Sequence, residues 1–230
     1  MAQASHGSVL DDLGGRIAAG EQAPGSVLTL AGLESHYGVS RTVVREAVRV
    51  LEAMGMVESR RRVGITVRPI DRWNALDTRL IDWQLRGPSH RHHLAVVTEL
   101  RAAIEPVAAA LSARRASDVE RAEIARLAAE LQRLGAAGLG DSDEYLAIDI
   151  AFHELILDTS GNLMLAATKA AISAVIAGRA RLGLTPGDPH DVALENHVAT
   201  ARAIARGDAA SAEEHTRTYV EAILSEVRSS

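Results

Sequence analysis

Gly38-Val-Ser-Arg-Thr-Val-Val-Arg-Glu-Ala-Val-Arg49 is a turn running straight into a helix. Arg41, Arg45 and Arg49 fall at i, i+4 and i+8, which puts three guanidinium groups on one stripe. Val43, Val44, Ala47, Val48 and Leu51 fall on the other side and are core material. Such a helix buries one face and presents cations on the other. Guanidinium forks match phosphate oxygens and the major-groove edge of guanine, so the pattern fits a DNA-reading helix. The plainer alternative is the solvated side of an ordinary amphipathic helix.

The flanks weigh against that alternative. Upstream, Thr29 can cap a short helix from Leu30 to Tyr37, and Gly38 can end it. Ser40 stands where the next helix needs its N-cap. The result is helix, tight turn, helix. Downstream, Gly55-Met56-Val57 closes the second helix, and Glu58 to Val67 reads as a hairpin. Its tip is Ser59-Arg60-Arg61-Arg62, and its return strand is Ile65-Thr66-Val67 beside Gly64. A basic hairpin next to a helix-turn-helix is a wing, whose Arg61 and Arg62 can reach phosphates or the adjacent minor groove.

The net charge of −5 is unusual for a DNA-binding chain until it is divided. Residues 41–68 hold seven Arg against three Glu, whereas residues 71–230 hold 17 basic and 23 acidic groups. Affinity for the phosphate backbone depends on the local patch, so a small DNA-facing head on an acidic body is consistent with these numbers. The 230 residues, 47% of them hydrophobic, allow one large or two small domains. No cysteine is present, which excludes disulfides and thiolate metal sites. No apolar run reads as long enough to span a bilayer and no signal peptide is visible in Met1–Gly20, so no membrane partner and a cytoplasmic location are expected.

The expected fold is mainly α. A winged helix-turn-helix spans residues 1–70, a linker helix lies within 71–90, and an all-α antiparallel bundle spans 91–230. The linker helix is placed at 72–86, broken by Gly87-Pro88. Ala-rich stretches of helical period follow at about 91–115, 118–135, 142–160, 162–182, 190–206 and 208–228. Their breaks carry capping and turn residues, including Ser117-Asp118, Ser160-Gly161-Asn162, Thr185 to Pro189 and Gly207-Asp208. Bundles of this kind build ligand sites between facing helices.

Within the bundle, Asp149 and His153 fall one turn apart on one helix face. His197 opens a later helix, and His215 lies on the next. One Asp and several His facing a bundle core would suit a divalent first-row metal such as zinc. A local surface pair between Asp149 and His153 is the simpler reading of the spacing alone.

Ile17-Ala-Ala-Gly-Glu-Gln-Ala-Pro-Gly25, Leu33, Gly38 to Ala47, Leu51, Gly55 and Gly64 resemble the N-terminal domain of the GntR family of bacterial transcription regulators. The resemblance implies that Arg41, Thr42 and Arg45 touch bases or phosphates, that Ser40 bonds a phosphate, and that the wing at Gly64 enters the minor groove. Glu99-Leu-Arg101, Glu105-Pro106, Asp149 to His153, Asn162, Glu195-Asn-His197 and Gly207-Asp208 resemble the FCD effector domain of the FadR subfamily. Many such domains hold a metal with one Asp and three His, completed by a carboxylate effector. Here the resemblance supplies Asp149, His153 and His197. The family's last His falls at Tyr219, so His215, one turn earlier, is the candidate fourth ligand and Tyr219 a candidate effector contact. Arg72-Trp73-Asn74-Ala75-Leu76-Asp77 and Ile81-Asp82-Trp83 resemble the linker of regulators of sugar-acid catabolism.

The resulting expectation is a homodimeric, effector-responsive repressor that reads a palindromic operator in double-stranded DNA. A small carboxylate such as galactonate or gluconate would bind in the bundle, with Arg101 as a bidentate fork for its carboxylate. One rival is a metal-free regulator binding an acyl-CoA or other apolar ligand. Another is a metal-dependent enzyme on a helical bundle. The sequence carries no His-Glu-x-x-His, no P-loop, no Gly-x-Ser-x-Gly and no dinucleotide fingerprint, so no enzymatic activity is expected.

Overall fold

The computed structural model describes residues 6–184 and 191–229. The chain forms two compact units, Met1–His90 and Arg91–Ser230. In the first, helices α1 (His6–Ala18), α2 (Leu30–Tyr37) and α3 (Arg41–Ala53) pack with strands β1 (Val27–Leu28), β2 (Val57–Arg60) and β3 (Gly64–Val67). The strands are antiparallel in the order β1-β3-β2. The β2–β3 pair is the hairpin read from the sequence, whereas β1, two residues long, was not foreseen.

Local chemistry accounts for most boundaries. Thr29 Oγ1 accepts from the Gly32 N–H at 3.0 Å and starts α2. Gly38, at φ 64°, ends it and donates its N–H to the Glu34 carbonyl. Ser40 caps α3 by position only, because its side chain makes no capping bond. Gly64 sits at φ 117°, and a Cβ there would stand 2.7 Å from the Leu28 carbonyl oxygen. Glycine is therefore what lets β1 lie against β3.

The head core gathers Leu13 and Ile17 of α1, Val44, Ala47 and Leu51 of α3, and Met56, Ile65 and Val67 of the sheet. The linker differs from the expected helix over 72–86. A 3-10 turn, Ile70–Arg72, is followed by extended Trp73, whose Nε1–H donates to the Arg68 carbonyl. Only at Thr78 does α4 (Thr78–Arg86) begin, because Asp77 accepts from the Arg79 N–H at 2.9 Å. Leu80 and Trp83 of α4 join the head core. A Cβ on Gly14 of α1 would fall 2.3 Å from the Trp83 ring, so that indole occupies the place of a side chain.

The second unit contains α5 (His90–Arg115), α6 (Asp118–Ala136), α7 (Asp143–Thr159), α8 (Leu163–Ala166), α9 (Lys169–Arg181), α10 (Asp191–Arg206) and α11 (Ala209–Ser229). A capping box between Ser117 and Glu120 opens α6. The single helix expected over 162–182 is two. Thr168 Oγ1 donates to the Leu165 carbonyl, a local bond that competes with the continuing helix. The break expected at Thr185 to Pro189 lies outside the described residues.

The bundle neighbours are α10 with α11 and α6, and α7 with α6 and α9. Ala108, Ala113, Ile124, Leu131, Phe152, Ile156, Ile172 and Ile204 form the core, with the alanines allowing close helix approach. Contrary to the sequence expectation, Leu163–Arg181 is long and apolar enough, by length and composition, to cross a membrane. In the fold it is divided between α8 and α9, and Ala171, Ile172, Val175 and Ile176 of α9 are buried.

Candidate nucleic-acid interface and metal centre

On α3, Val44, Ala47, Val48 and Leu51 are buried, while Arg41, Thr42, Arg45 and Arg49 are exposed. This is the division that the periodicity predicts. Val43 is only partly buried. The cations differ in their engagement. Arg49 is held by Glu46 at 2.6 Å, and Arg41 faces Glu34 at 3.9 Å. In the wing, Arg60 pairs with Glu58 at 3.0 Å. Among the described residues, Arg45, Arg61 and Arg62 have no such partner. Arg62 adopts φ 65° at the hairpin tip, a left-handed turn conformation beside exposed Arg61.

In the bundle, α7 supplies Asp149 and His153, and the first half of α10 supplies His197. Asp149 Oδ1 stands 3.4 Å from His153 Nε2 and 3.5 Å from His197 Nε2, and the two nitrogens are 3.5 Å apart. A tetrahedral zinc ion with ligands at about 2.0–2.1 Å spaces its donors by about 3.3–3.4 Å. Asp149 Oδ1 is also buried without a hydrogen-bond partner, an oxygen placed to meet a cation rather than a donor. The three residues therefore fit a divalent ion, and the surface-pair reading of Asp149 and His153 fails because both turn inward.

Two further residues brace this triangle. Arg101 of α5 is buried, its Nε donating to Glu105 Oε1 at 2.6 Å, with Nη2 3.3 Å from His153 Nε2. Glu105 Oε2 in turn lies 3.1 Å from His153 Nδ1 and accepts from the Tyr219 hydroxyl at 3.4 Å. Arg101, expected from the sequence as an effector contact, lies beside the triangle, whereas its internal carboxylate was not foreseen. The spacing of Arg101 and Glu105, i and i+4 on one helix, was the available signal. Tyr219 stacks on His197, ring centres 4.3 Å apart and planes 18° apart, so it walls the cluster. His215 is not brought to the triangle. One turn from Tyr219, it faces Asn196, with Nδ1 3.0 Å from Oδ1.

Burial opposes every charge here, so partners decide the protonation states. Burial would raise Glu105, but Arg101 and His153 bring it down to about 2. Asp149 is held well below the usual carboxylate range by its two imidazoles, also against its burial. Burial would lower His153, yet Glu105 and Asp149 raise it to about 9. Arg101 works against that last charge, but two carboxylates within 3.4 Å outweigh one guanidinium.

Residues 6–67 match the family of bacterial regulatory proteins called gntR, and residues 96–222 match the FCD domain. The chain belongs to the GntR family. Its FCD domain contains the whole Asp149–His153–His197 cluster. The galactonate operon transcriptional repressor of Escherichia coli is 30% identical to this GntR chain, over 90% of each. A probable D-xylose utilization operon transcriptional repressor of Paenarthrobacter nicotinovorans is 28% identical, over 90% of this chain and 82% of the other. Among solved structures, that of Lar from Listeria monocytogenes shares the fold at a TM-score of 0.60 and 16% identity, covering 100% of this chain and 99% of that one. E. coli McbR/YncC does so at 0.53 and 18%, covering 97% of each. GntR members with this second domain are transcription regulators, and so is this chain.

Proposed function

We propose that this regulator represses a sugar-acid catabolic operon and leaves its operator when a small aldonate binds in the FCD domain. The observation that carries the reading is the cluster of buried Arg101, Glu105, His153 and His197 with part-buried Asp149, the charged and imidazole groups of a bundle interior that is mainly apolar. The buried charges pair with one another, yet Asp149 Oδ1 stays unpartnered, and the donors of the cluster match an anion bearing hydroxyls. The relative named for galactonate, matched over 90% of its length, favours the same class.

Asp149 Oδ1, His153 Nε2 and His197 Nε2 would hold zinc or a similar divalent ion, which supplies a Lewis-acid anchor for a carboxylate or hydroxyl oxygen. Glu105 takes the Nε edge of Arg101, leaving the outer edge of the guanidinium for the effector's carboxylate. An acyl chain would set methylene groups against these charges, which argues against an acyl-CoA. In the head, Ser40, Arg41, Thr42, Arg45 and Arg49 face the major groove, and Arg61, Arg62 and Gly64 of the wing follow the phosphates or minor groove. The working unit is a cytoplasmic homodimer, whose two heads read two half-sites. Effector binding changes operator affinity only by favouring one arrangement of the heads. The α4 segment carries that bias, since it is the part of the linker packed on α1.

The test is release of a genomically selected operator fragment, followed by fluorescence anisotropy, as D-galactonate, D-gluconate or D-xylonate is added. Release by one of them, lost in His153→Ala while that variant still binds DNA, is the expected result. Release by acyl-CoA with no response to any sugar acid would overturn the reading.

A further inference from the structure

A recess lies beside the donor triangle, between the N-terminal end of α7 and the C-terminal end of α9. Asp149 lines this recess, together with Tyr145, Ile176, Ala180 and Arg181. Its cavity volume is about 140 Å³, room for a short hydroxylated segment rather than for a whole ligand. Tyr145 is one turn before Asp149 on α7 and only 5% exposed. Among the described residues its hydroxyl makes no hydrogen bond, and that oxygen is not fully enclosed. Burial, and then the negative charge of Asp149, keep that phenol protonated well beyond neutral pH, so it is a neutral donor and acceptor. The rim carries the exposed carboxylates Asp141 and Asp143, which accept hydroxyl hydrogens.

We propose that this recess is the outer half of the effector site, in which Tyr145 bonds a hydroxyl of the ligand distal to its carboxylate. The proposal rests on the sugar-acid reading and sharpens it. The cationic interior, with Arg101 and the donor triangle, takes the carboxylate end. The hydroxylated tail then lies along α7 towards Asp141 and Asp143. Tyr145 thereby becomes the residue that distinguishes a polyhydroxylated acid from an unsubstituted acid of equal length. Asp149 Oδ1 in the same lining is also unpartnered, but it belongs to the donor triangle.

Tyr145→Phe removes only the hydroxyl and keeps the ring in its packing. Calorimetry on zinc-loaded protein with D-galactonate, D-gluconate, D-xylonate and hexanoate tests the assignment. Loss of one hydrogen bond predicts about tenfold weaker binding of the sugar acid that binds the unsubstituted protein. Zinc affinity and the response to hexanoate should stay unchanged. Sugar-acid affinity equal in both proteins would overturn the proposal while leaving the sugar-acid reading intact. A fall in zinc affinity of the same size would assign Tyr145 a structural role and overturn it too. No binding of any of the three sugar acids to the unsubstituted protein would overturn both.

Discussion

Glu105 Oε2 and His153 Nδ1 face each other at 3.1 Å across the α5–α7 contact, both side chains buried. With its Nδ1–H donated to Glu105, the imidazole turns Nε2 towards Asp149 and His197. A carboxylate behind a ligating histidine fixes its tautomer and raises its basicity. Glu105 is therefore the positioning residue of the triangle.

Glu105→Gln should weaken zinc binding by about 10–100-fold, read by competition with a chromophoric chelator. It should also lower stability by about 3–5 kcal/mol, because Arg101 stays buried without its counter-charge. Unchanged zinc affinity would mean that Glu105 does not orient His153.

The pH dependence follows from His153. Its folded pKa, about 9, lies above the ordinary 6.5. The stabilisation from its charged form in metal-free protein is fully present below 6.5 and is lost as pH rises through about 9. A metal needs the Nε2 lone pair and must displace that proton. Zinc affinity should therefore climb from pH 6.5 towards 9, with proton release measurable in buffers of different ionisation heat. Flat affinity over that range would contradict the assignment.

Tyr219→His should tighten zinc binding. The substitution supplies a third imidazole, and so a fourth donor, at a position already packed against His197. An increase of about tenfold or more is expected, read by the same chelator competition. A weaker affinity would mean that the stacking of Tyr219 on His197 matters more than an added donor.

In the head, Arg45→Ala should weaken operator binding by about tenfold or more, one lost major-groove or phosphate contact, with the fold intact by circular dichroism. Operator affinity equal to that of the unsubstituted protein would remove Arg45 from the interface.

Gly64→Ala should destabilise the head by about 1–3 kcal/mol, since its Cβ would meet the Leu28 carbonyl and its backbone conformation disfavours a side chain. A melting temperature equal to that of the unsubstituted protein would show that β1 yields freely.

Much of this architecture was legible in the chain. The 3.6-residue period of Val44, Ala47, Val48 and Leu51 fixed the buried face of α3, and Thr29 and Gly38 marked the limits of α2, because both signals act within one or two turns. The helix periods and caps likewise located the bundle helices. Long-range placement was not legible. The spacing of Asp149 and His153 allows an outward pair or an inward site, and only the packing of α7 against α6 and α9 turns them inward. Glu105 lies 48 residues from His153 in sequence, and Tyr145 acquires meaning only because α9 stands opposite. His215 and Tyr219 share a helix, but the bundle directs Tyr219 to the cluster and His215 to Asn196. Local hydrogen-bonding and periodicity thus determined the elements, while contacts between distant helices decided which buried charges meet and so where a ligand can be held.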